Sequence, residues 1–315
     1  MIILSSKKQV ISRSFRDDED FWRVRRLLIE TYPITPTAFN WEIRRWDGYR
    51  FYNSNPDLKP SWKEQVHLWE TDDGKLIGVV HPEGSGDAHL ELHPDFRHIE
   101  ERMIEWAQDN LASPVQDGHE RKLSMFVSEY DLLRCRSLEK LEYERTTSSE
   151  IHRRLRLGGK SIPQSTMPPG YVLRTTLPDD KDDCQRIADL LNAAFNRDCH
   201  TAEEFHVFST HAPCFQHKLD LVAVAPNGAF AAYVGVPYIE ENRYGVFEPV
   251  CTHPNHIRKG LARSLMLEGF HRLKKLGAAD VYVVTGDQVA ANKLYDAIGF
   301  AEVYKKYLWQ KVLPM

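Results

Sequence analysis

The chain has no run of 18 apolar residues, which excludes a membrane-spanning helix on sequence grounds. Its opening, MIILSSKKQV, carries only the short apolar run Ile2–Leu4, too brief for a secretory h-region, so a soluble, unexported protein with no membrane partner is expected. Cysteine is sparse: Cys135, Cys184, Cys199, Cys214 and Cys251 are five in all, irregularly spaced and without a CxxC pair. An odd set of this kind argues against a disulfide framework and for a reducing compartment, the cytoplasm. Net charge is nearly absent too, since 41 Lys and Arg face 45 Asp and Glu to give −4, so no global field would gather nucleic acid. Neither GxxxxGKS/T nor GxGxxG occurs, which leaves nucleotide hydrolysis and dinucleotide binding without support. The one crowded stretch of potential metal ligands, CHTAEEFHVFSTHAPCFQH (Cys199–His217), lacks CxxC and HxxxH spacings, and no metal is expected there.

What is present is a globular composition spread over 315 residues, a length that at roughly 150 residues per domain suggests two domains. The clearest linker is LGGKSIPQSTMPPG, where Gly, Pro, Ser and Thr displace the apolar periodicity on either side. It predicts domains at 1–157 and 171–315 joined by 158–170. The two halves also match each other. ELHPDFRHIEERMIEW lies opposite CTHPNHIRKGLARSLM, pairing Pro94 with Pro254, and at nearly the same offset Val127 pairs with Val284 and Tyr143 with Phe300. Matches at two separated places argue for a duplicated unit.

The second half gives the clearer pattern. Cys184, Ile187, Ala188, Leu191 and Phe195 recur at helical spacing and predict a helix over Asp179–Phe195, and Thr201 with Glu204 reads as the capping box of another. KLDLVAVA and GAFAAYVGV are strands about an Asn227-Gly228 turn. RYGVFEPVCT predicts a further strand, followed by a long helix whose Ala262, Leu265, Met266, Gly269, Phe270, Leu273 and Leu276 share a face. A strand, a helix and a closing strand complete the order, an α/β mixture with helices returning over a sheet.

Between the strand ending at Thr252 and the helix starting near Gly260 lies HPNHIRK. A helix start exposes unpaired N–H groups with about half a positive charge, Gly260 has no Cβ to hold a phosphate away, and Arg258 and Lys259 add cations at the rim. A pyrophosphate suits such a turn; a solvated helix start is the alternative.

HPNHIRKGLA, together with QVAANKLYDAIGF in the right order and separation, resembles the GNAT family of N-acetyltransferases. The first is similar to the family's acyl-CoA loop, Q/R-x-x-G-x-G/A, with Gly260 and Ala262 in the small positions and Ile257 where Gln or Arg is usual. The second is similar to N-x-x-A-x-x-L-Y-x-x-x-G-F, with Ala291, Leu294, Tyr295, Gly299 and Phe300 matching and Gln288 in place of Asn. The resemblance implies two tandem GNAT-like α/β domains, each a mixed, mostly antiparallel sheet flanked by helices. It implies an acetyl-CoA-dependent N-acetyltransferase acting on a small-molecule amine or a peptide, as a monomer or homodimer. The implied cofactor-binding residues are Val250, Cys251, Thr252, Ile257, Arg258, Lys259, Gly260, Leu261, Ala262, Arg263, Gln288, Ala291 and Asn292.

Acyl transfer to an amine needs a base, because an amine of pKa near 10.4 pays about 4.6 kcal/mol to be neutral at pH 7. Glu248, in an otherwise apolar strand, is the candidate, on the strand where the resemblance puts a glutamate base. It could equally be neutralised by a structural Arg or Lys, or point to solvent. Tyr295 matches the family's general acid, which would protonate the departing thiolate; packing as an interfacial tyrosine is the alternative. The histidine-rich stretch is expected to border the acceptor pocket. In the first half, Arg97-His98-Ile99-Glu100-Glu101 has no glycine and two carboxylates where phosphates would sit, so that cofactor site is expected to be dead while Met103, Ile104, Trp106, Ala107 and Leu111 keep the apolar face. Trp41, Trp46, Tyr49, Phe51 and Tyr52 could shape an acceptor cleft or simply pack. Two rival functions remain: a non-catalytic acyl-CoA sensor or scaffold, and an aminoacyl-tRNA-dependent transferase.

Overall fold

A computed structural model describes residues 9–52, 62–115 and 118–315; the apolar run Ile2–Leu4 lies outside the described residues. In chain order the elements are β1 (Val10–Ser14), α1 (Asp18–Thr31), α2 (Ile43–Phe51), β2 (His67–Thr71), β3 (Leu76–His81), β4 (His89–Leu92), α3 (Glu100–Leu111), β5 (Ser113–Pro114), β6 (Glu120–Ser128), α4 (Leu132–Lys140) and β7 (Glu144–Arg156). There follow β8 (Val172–Thr175), α5 (Lys181–Phe195), α6 (Ala202–His211), β9 (Leu221–Val224), β10 (Phe230–Val234), β11 (Tyr238–Ile239), β12 (Tyr244–Val246), β13 (Val250–Thr252), α7 (Leu261–Lys275), β14 (Asp280–Thr285), α8 (Val289–Ile298) and β15 (Glu302–Pro314).

The chain forms two compact units that interleave in sequence. Unit 1 takes Met1–Glu42, Asp57–Ser149 and Lys306–Met315, and unit 2 takes Ile43–Pro56 and Glu150–Lys305. Helix α2 therefore folds with unit 2 although the first half of the sequence encodes it.

In unit 1 an antiparallel sheet of order β1-β2-β3-β4 packs with α3. Strand β6 pairs with β5 on one edge and with the last residues of the chain on the other, from Lys306↔Ser128 to Pro314↔Glu120. Met103, Ile104, Ala107 and Leu111 of α3 are buried against Trp69, Ile77 and Leu92, whereas Trp106 is half-buried and stacks on His67 with ring centroids 4.5 Å apart.

In unit 2 the local signals act as the physics requires. Asp180 caps α5, accepting from Asp182 N at 2.8 Å and Asp183 N at 3.1 Å, and Thr201 with Glu204 closes a reciprocal capping box on α6. Gly228 turns the β9–β10 hairpin at φ 83°. Helix α7 buries Leu265, Met266, Gly269, Phe270 and Leu273 as its periodicity predicts, but also Leu261, Ser264 and Leu267, while Ala262 is half-buried and Leu276 is exposed beyond the helix end. The reason lies in the Gly/Pro/Ser-rich stretch, which runs along a second side of α7. Ser264 Oγ donates to Thr166 O at 2.7 Å, Ser165 Oγ donates to Ser264 O at 2.9 Å, and Lys274 Nζ donates to Lys160 O at 2.9 Å.

The predicted strand RYGVFEPVCT is broken. Its first part, β12, pairs in parallel with β14 as far as Val246↔Tyr282, with Phe247 N donating to Tyr282 O at 2.8 Å. Its second part, β13, pairs instead with β10, from Val250↔Val234 to Thr252↔Ala232. Between them stand Glu248 and Pro249, joined by a cis peptide bond. One strand thus passes from the β12-β14-β7 layer to the β13-β10-β9-β8 layer, and the two layers part at Glu248. The close packing behind this point leaves little room for change: a Cβ on Gly269 would come within 2.7 Å of the Phe247 ring. Among the described residues no helix is long and apolar enough to cross a membrane.

Candidate active site

The parting strands deliver Glu248 to the mouth of the gap. Its Oε1 is gripped by Nη2 of Arg44 from α2, while its Oε2 is buried without a hydrogen-bond partner among the described residues. A buried, unpaired carboxylate oxygen is costly, about 1–3 kcal/mol, unless something arrives to use it. Arg44 is the residue that sequence reasoning missed at this position. The conspicuous residues around it are aromatic, of which Trp41, Trp46 and Tyr49 are buried, and nothing local says that a helix so early in the chain packs into the second unit.

Tyr295, on α8, is buried, and Glu248 is close enough that its negative charge adds to burial in raising the Tyr295 pKa to about 12; Arg153 opposes the rise. A phenol in that state keeps its proton at neutral pH and can donate it. Helix α8 is pinned by Arg153 of β7, whose Nη1 bonds Asp296 Oδ1 at 2.5 Å and whose Nη2 donates to Asn292 Oδ1 at 3.0 Å. Asn292 is further engaged, donating through Nδ2 to Gly286 O at 2.9 Å. Gln288 accepts from Thr285 Oγ1 at 2.9 Å and supplies the main-chain carbonyl to which Asn292 N donates at 3.0 Å. Both side chains thus brace the helix start.

The loop after β13 has unusual backbone. His253 Nδ1 accepts from Asn255 N at 3.2 Å to form a short turn, Ile257 is extended and exposed, and Arg258 and Gly260 both have left-handed φ values, 61° and 77°. For Arg258 that conformation costs about 1–2 kcal/mol, a strain that collects at functional turns. Gly260 is the N-cap of α7, no side chain caps its first turn, and nothing lies within 4 Å of where a Cβ would stand. The open, uncapped amides fit a diphosphate. Lys259 does not roam the rim: its Nζ donates to Tyr171 Oη at 3.0 Å, and that hydroxyl also bonds His256 Nδ1 at 2.9 Å. Val250, Ala291, Tyr295 and Leu261 meet on one hydrophobic cluster, so the strand, the loop helix and α8 converge on the gap. Cys251 is buried on the other side of β13, and Thr252 and Arg263 are half-buried and exposed.

The histidine-rich stretch is mostly tied to main chain. His206 Nδ1 bonds Pro178 O at 2.8 Å and His217 Nε2 bonds Thr176 O at 2.6 Å. Among the described residues no three His, Cys, Asp or Glu side chains gather as a metal would need.

In unit 1 the corresponding helix start is acidic. Glu100, 2% exposed, bonds Arg97 Nε at 2.7 Å and Arg134 Nε, and Arg97 Nη2 donates to Asp131 Oδ1 at 2.7 Å. Two carboxylates, Glu100 and Glu101, stand in the first turn of α3, and both guanidiniums lie over the Phe39 ring.

In unit 2 the sheet thus opens beside a glycine-led helix, with the Glu248 carboxylate and the Tyr295 phenol nearby, an arrangement suited to acyl transfer. Residues 184–300 match the model of the acetyltransferase (GNAT) family. A comparison with curated proteins finds no match. Among solved structures, a GCN5-related N-acetyltransferase from Sphaerobacter thermophilus is 16% identical with a TM-score of 0.65, covering 97% of this chain and 96% of its own. A tandem GNAT protein from the clavulanic acid biosynthesis pathway is 17% identical with a TM-score of 0.64, covering 97% and 98%. An N-myristoyltransferase of Saccharomyces cerevisiae with bound myristoyl-CoA is 14% identical with a TM-score of 0.56, covering 100% and 81%. At such identities these likenesses speak for the tandem fold.

Proposed function

We propose that unit 2 transfers an acetyl group from acetyl-CoA directly to a primary amine of a small molecule or peptide, in the cytoplasm. The observation that carries this is Glu248 Oε2, buried and unpartnered where the strands part, with the Tyr295 hydroxyl within reach of its field. Acetyl-CoA would supply an activated thioester carbonyl. The amides at Gly260, Leu261, Ala262 and Arg263 and the loop Ile257–Lys259 would hold its diphosphate, and Val250, Cys251, Thr252, Gln288, Ala291 and Asn292 would flank its arm. Glu248 takes the amine's proton at Oε2, offsetting the roughly 4.6 kcal/mol that a protonated amine costs at neutral pH. Tyr295 provides a proton to the leaving sulfur from its hydroxyl. Unit 1 carries no cofactor in this reading, because Glu100 and Glu101 put two carboxylates in the first turn of α3, where a diphosphate would be repelled. The division expected from the sequence, 1–157 and 171–315 with 158–170 between, is revised here: 158–170 goes with unit 2, as do 43–56, and 306–315 goes with unit 1.

A second reading draws on one observation. The Arg44 pair could hold Glu248 as a purely structural carboxylate, and the protein would then bind acyl-CoA without transfer. Thiol release during incubation with acetyl-CoA and a panel of amines, amino acids, aminoglycosides and peptides separates the two. Release with some amine supports transfer; a melting-temperature rise with acetyl-CoA but no release supports the binder; neither effect overturns both. Competition by tRNA would instead point to an aminoacyl-tRNA-dependent reaction.

A further inference from the structure

We propose that unit 2 selects an elongated acceptor, one that presents its amine to Glu248 and, about 12 Å further along α2, an uncharged hydroxyl-type group to His200 and Tyr52. The proposal rests on the transfer reading above and names the substrate class for the same site.

The second end of the site is built around an orphaned atom. His200 is 9% exposed, and its Nε2 is buried without a hydrogen-bond partner among the described residues, while its Nδ1 bonds the Tyr52 hydroxyl at 3.2 Å. The ring is not loosely held. Asn192 clasps the His200 main chain on both sides, accepting from its N–H at 3.0 Å and donating to its carbonyl at 2.9 Å, and the capping box of α6 begins at the next residue. A preorganised, buried nitrogen with nothing to bond is the state expected of a group awaiting a ligand.

Helix α2 joins this end to the amine end. Arg44, Gly48 and Tyr52 follow at intervals of four, so they share one face, and Tyr52 N still donates to Gly48 O at 2.7 Å, which continues the helix to that point. Arg44 holds Glu248 at one end of this face. Tyr52 packs at the other, on the cluster that contains Cys251. Between them Gly48 has, among the described residues, nothing within 4 Å of where a Cβ would stand. The face is therefore polar at its ends and open in the middle, alongside the segment Glu248–Cys251 that leads to the cofactor loop. Eight residues at the helical rise separate the ends by about 12 Å.

The chemistry of the far group follows from its surroundings. Burial, then the charge of Arg197, lowers the His200 pKa, so the ring is neutral at pH 7. Glu204 and Asp220 act on Tyr52 with negative charge, which disfavours an anion there. A hydroxyl both donates and accepts, so it satisfies Nε2 in whichever tautomer the Tyr52 bond selects.

The test uses the full chain and a matched pair of amines, 8-amino-1-octanol, whose extended length suits the spacing, and octylamine, with 4-amino-1-butanol as the short control. Binding is measured by calorimetry and turnover by thiol release from acetyl-CoA. The expected result is a preference of about tenfold for 8-amino-1-octanol over octylamine, absent for the short alcohol, with the ratio falling to about one in His200→Phe. Tyr52→Phe, which frees the imidazole to rotate, should reduce the ratio severalfold and decides the matter if His200→Phe does not fold. A ratio near one in the wild type, or an unaltered ratio in the folded variants, overturns the proposal. Preferential binding without thiol release leaves this site standing and defeats the transfer reading; release without preference does the reverse.

Discussion

Arg44 Nη2 holds Oε1 of Glu248, although the two residues come from opposite halves of the sequence, and the second carboxylate oxygen is left buried and unpaired. The pairing aims one oxygen and leaves the other for the acceptor. Replacing the carboxylate by its amide, Glu248→Gln, should keep the fold and hold the unfolding free energy within about 1 kcal/mol while lowering the rate of thiol release a hundredfold or more. Arg44→Met should lose about tenfold in kcat/KM because the carboxylate is no longer oriented. An unchanged rate in Glu248→Gln would leave Glu248 a purely structural group.

Tyr295 makes two predictions with one residue. As proton donor its loss in Tyr295→Phe should lower kcat by ten- to a hundredfold with little change in acyl-CoA affinity. Its pKa is raised from 10.0 to about 12 by burial and by Glu248, so the folded state keeps the proton that the unfolded chain has already lost between those values. Stability is therefore fully present below pH 10 and falls as pH rises towards 12, by up to about 2.7 kcal/mol. Urea midpoints measured across that range should fall less steeply in Tyr295→Phe.

Gly260 sits at φ 77°, and among the described residues nothing lies within 4 Å of where the Cβ of Gly260→Val would stand. The cost is the left-handed conformation, about 1–2 kcal/mol, together with a methyl pair over the amides proposed for the diphosphate. The expected outcome is a tenfold or greater rise in the Kd for acetyl-CoA by calorimetry, against a modest fall in melting temperature. Equal affinity in the variant would remove the diphosphate from this turn.

Glu100 bridges Arg97 and Arg134 inside unit 1. Glu100→Ala leaves two guanidiniums to Asp131 alone, and breaking a buried ionic network from one side costs about 3–5 kcal/mol. Denaturation should show that loss in the transition of unit 1. Acetyl-CoA binding to the folded variant should remain at one site, because the proposed cofactor turn lies in unit 2; a second bound equivalent would contradict the assignment of unit 1 as a unit without cofactor.

Much of unit 2 was legible because its signals are local. A capping box, an Asn-Gly turn and a heptad-like apolar face each act within a few residues, and Thr201, Gly228 and Phe270 stand where those rules put them. The glycine before α7 was legible for the same reason. The break at Glu248 was only half visible: Pro249 signals an interruption of pairing, but the transfer of the strand from β14 to β10 depends on which partners are available on either side. The buried Ser264 was missed because its packing partner, Thr166, lies in a stretch whose composition speaks only of a connector.

By itself the sequence determined the duplicated α/β plan, the glycine-led helix and the tyrosine helix, since backbone preferences and periodicity are properties of neighbouring residues. Only the tertiary structure decided that α2 folds with the second unit, that Arg44 meets Glu248, that His200 is buried with one nitrogen unsatisfied, and that the final strand pairs with β6. Those outcomes depend on burial and charge pairing between segments far apart in the chain, and residue order alone carries no signal of which distant groups will exclude water together.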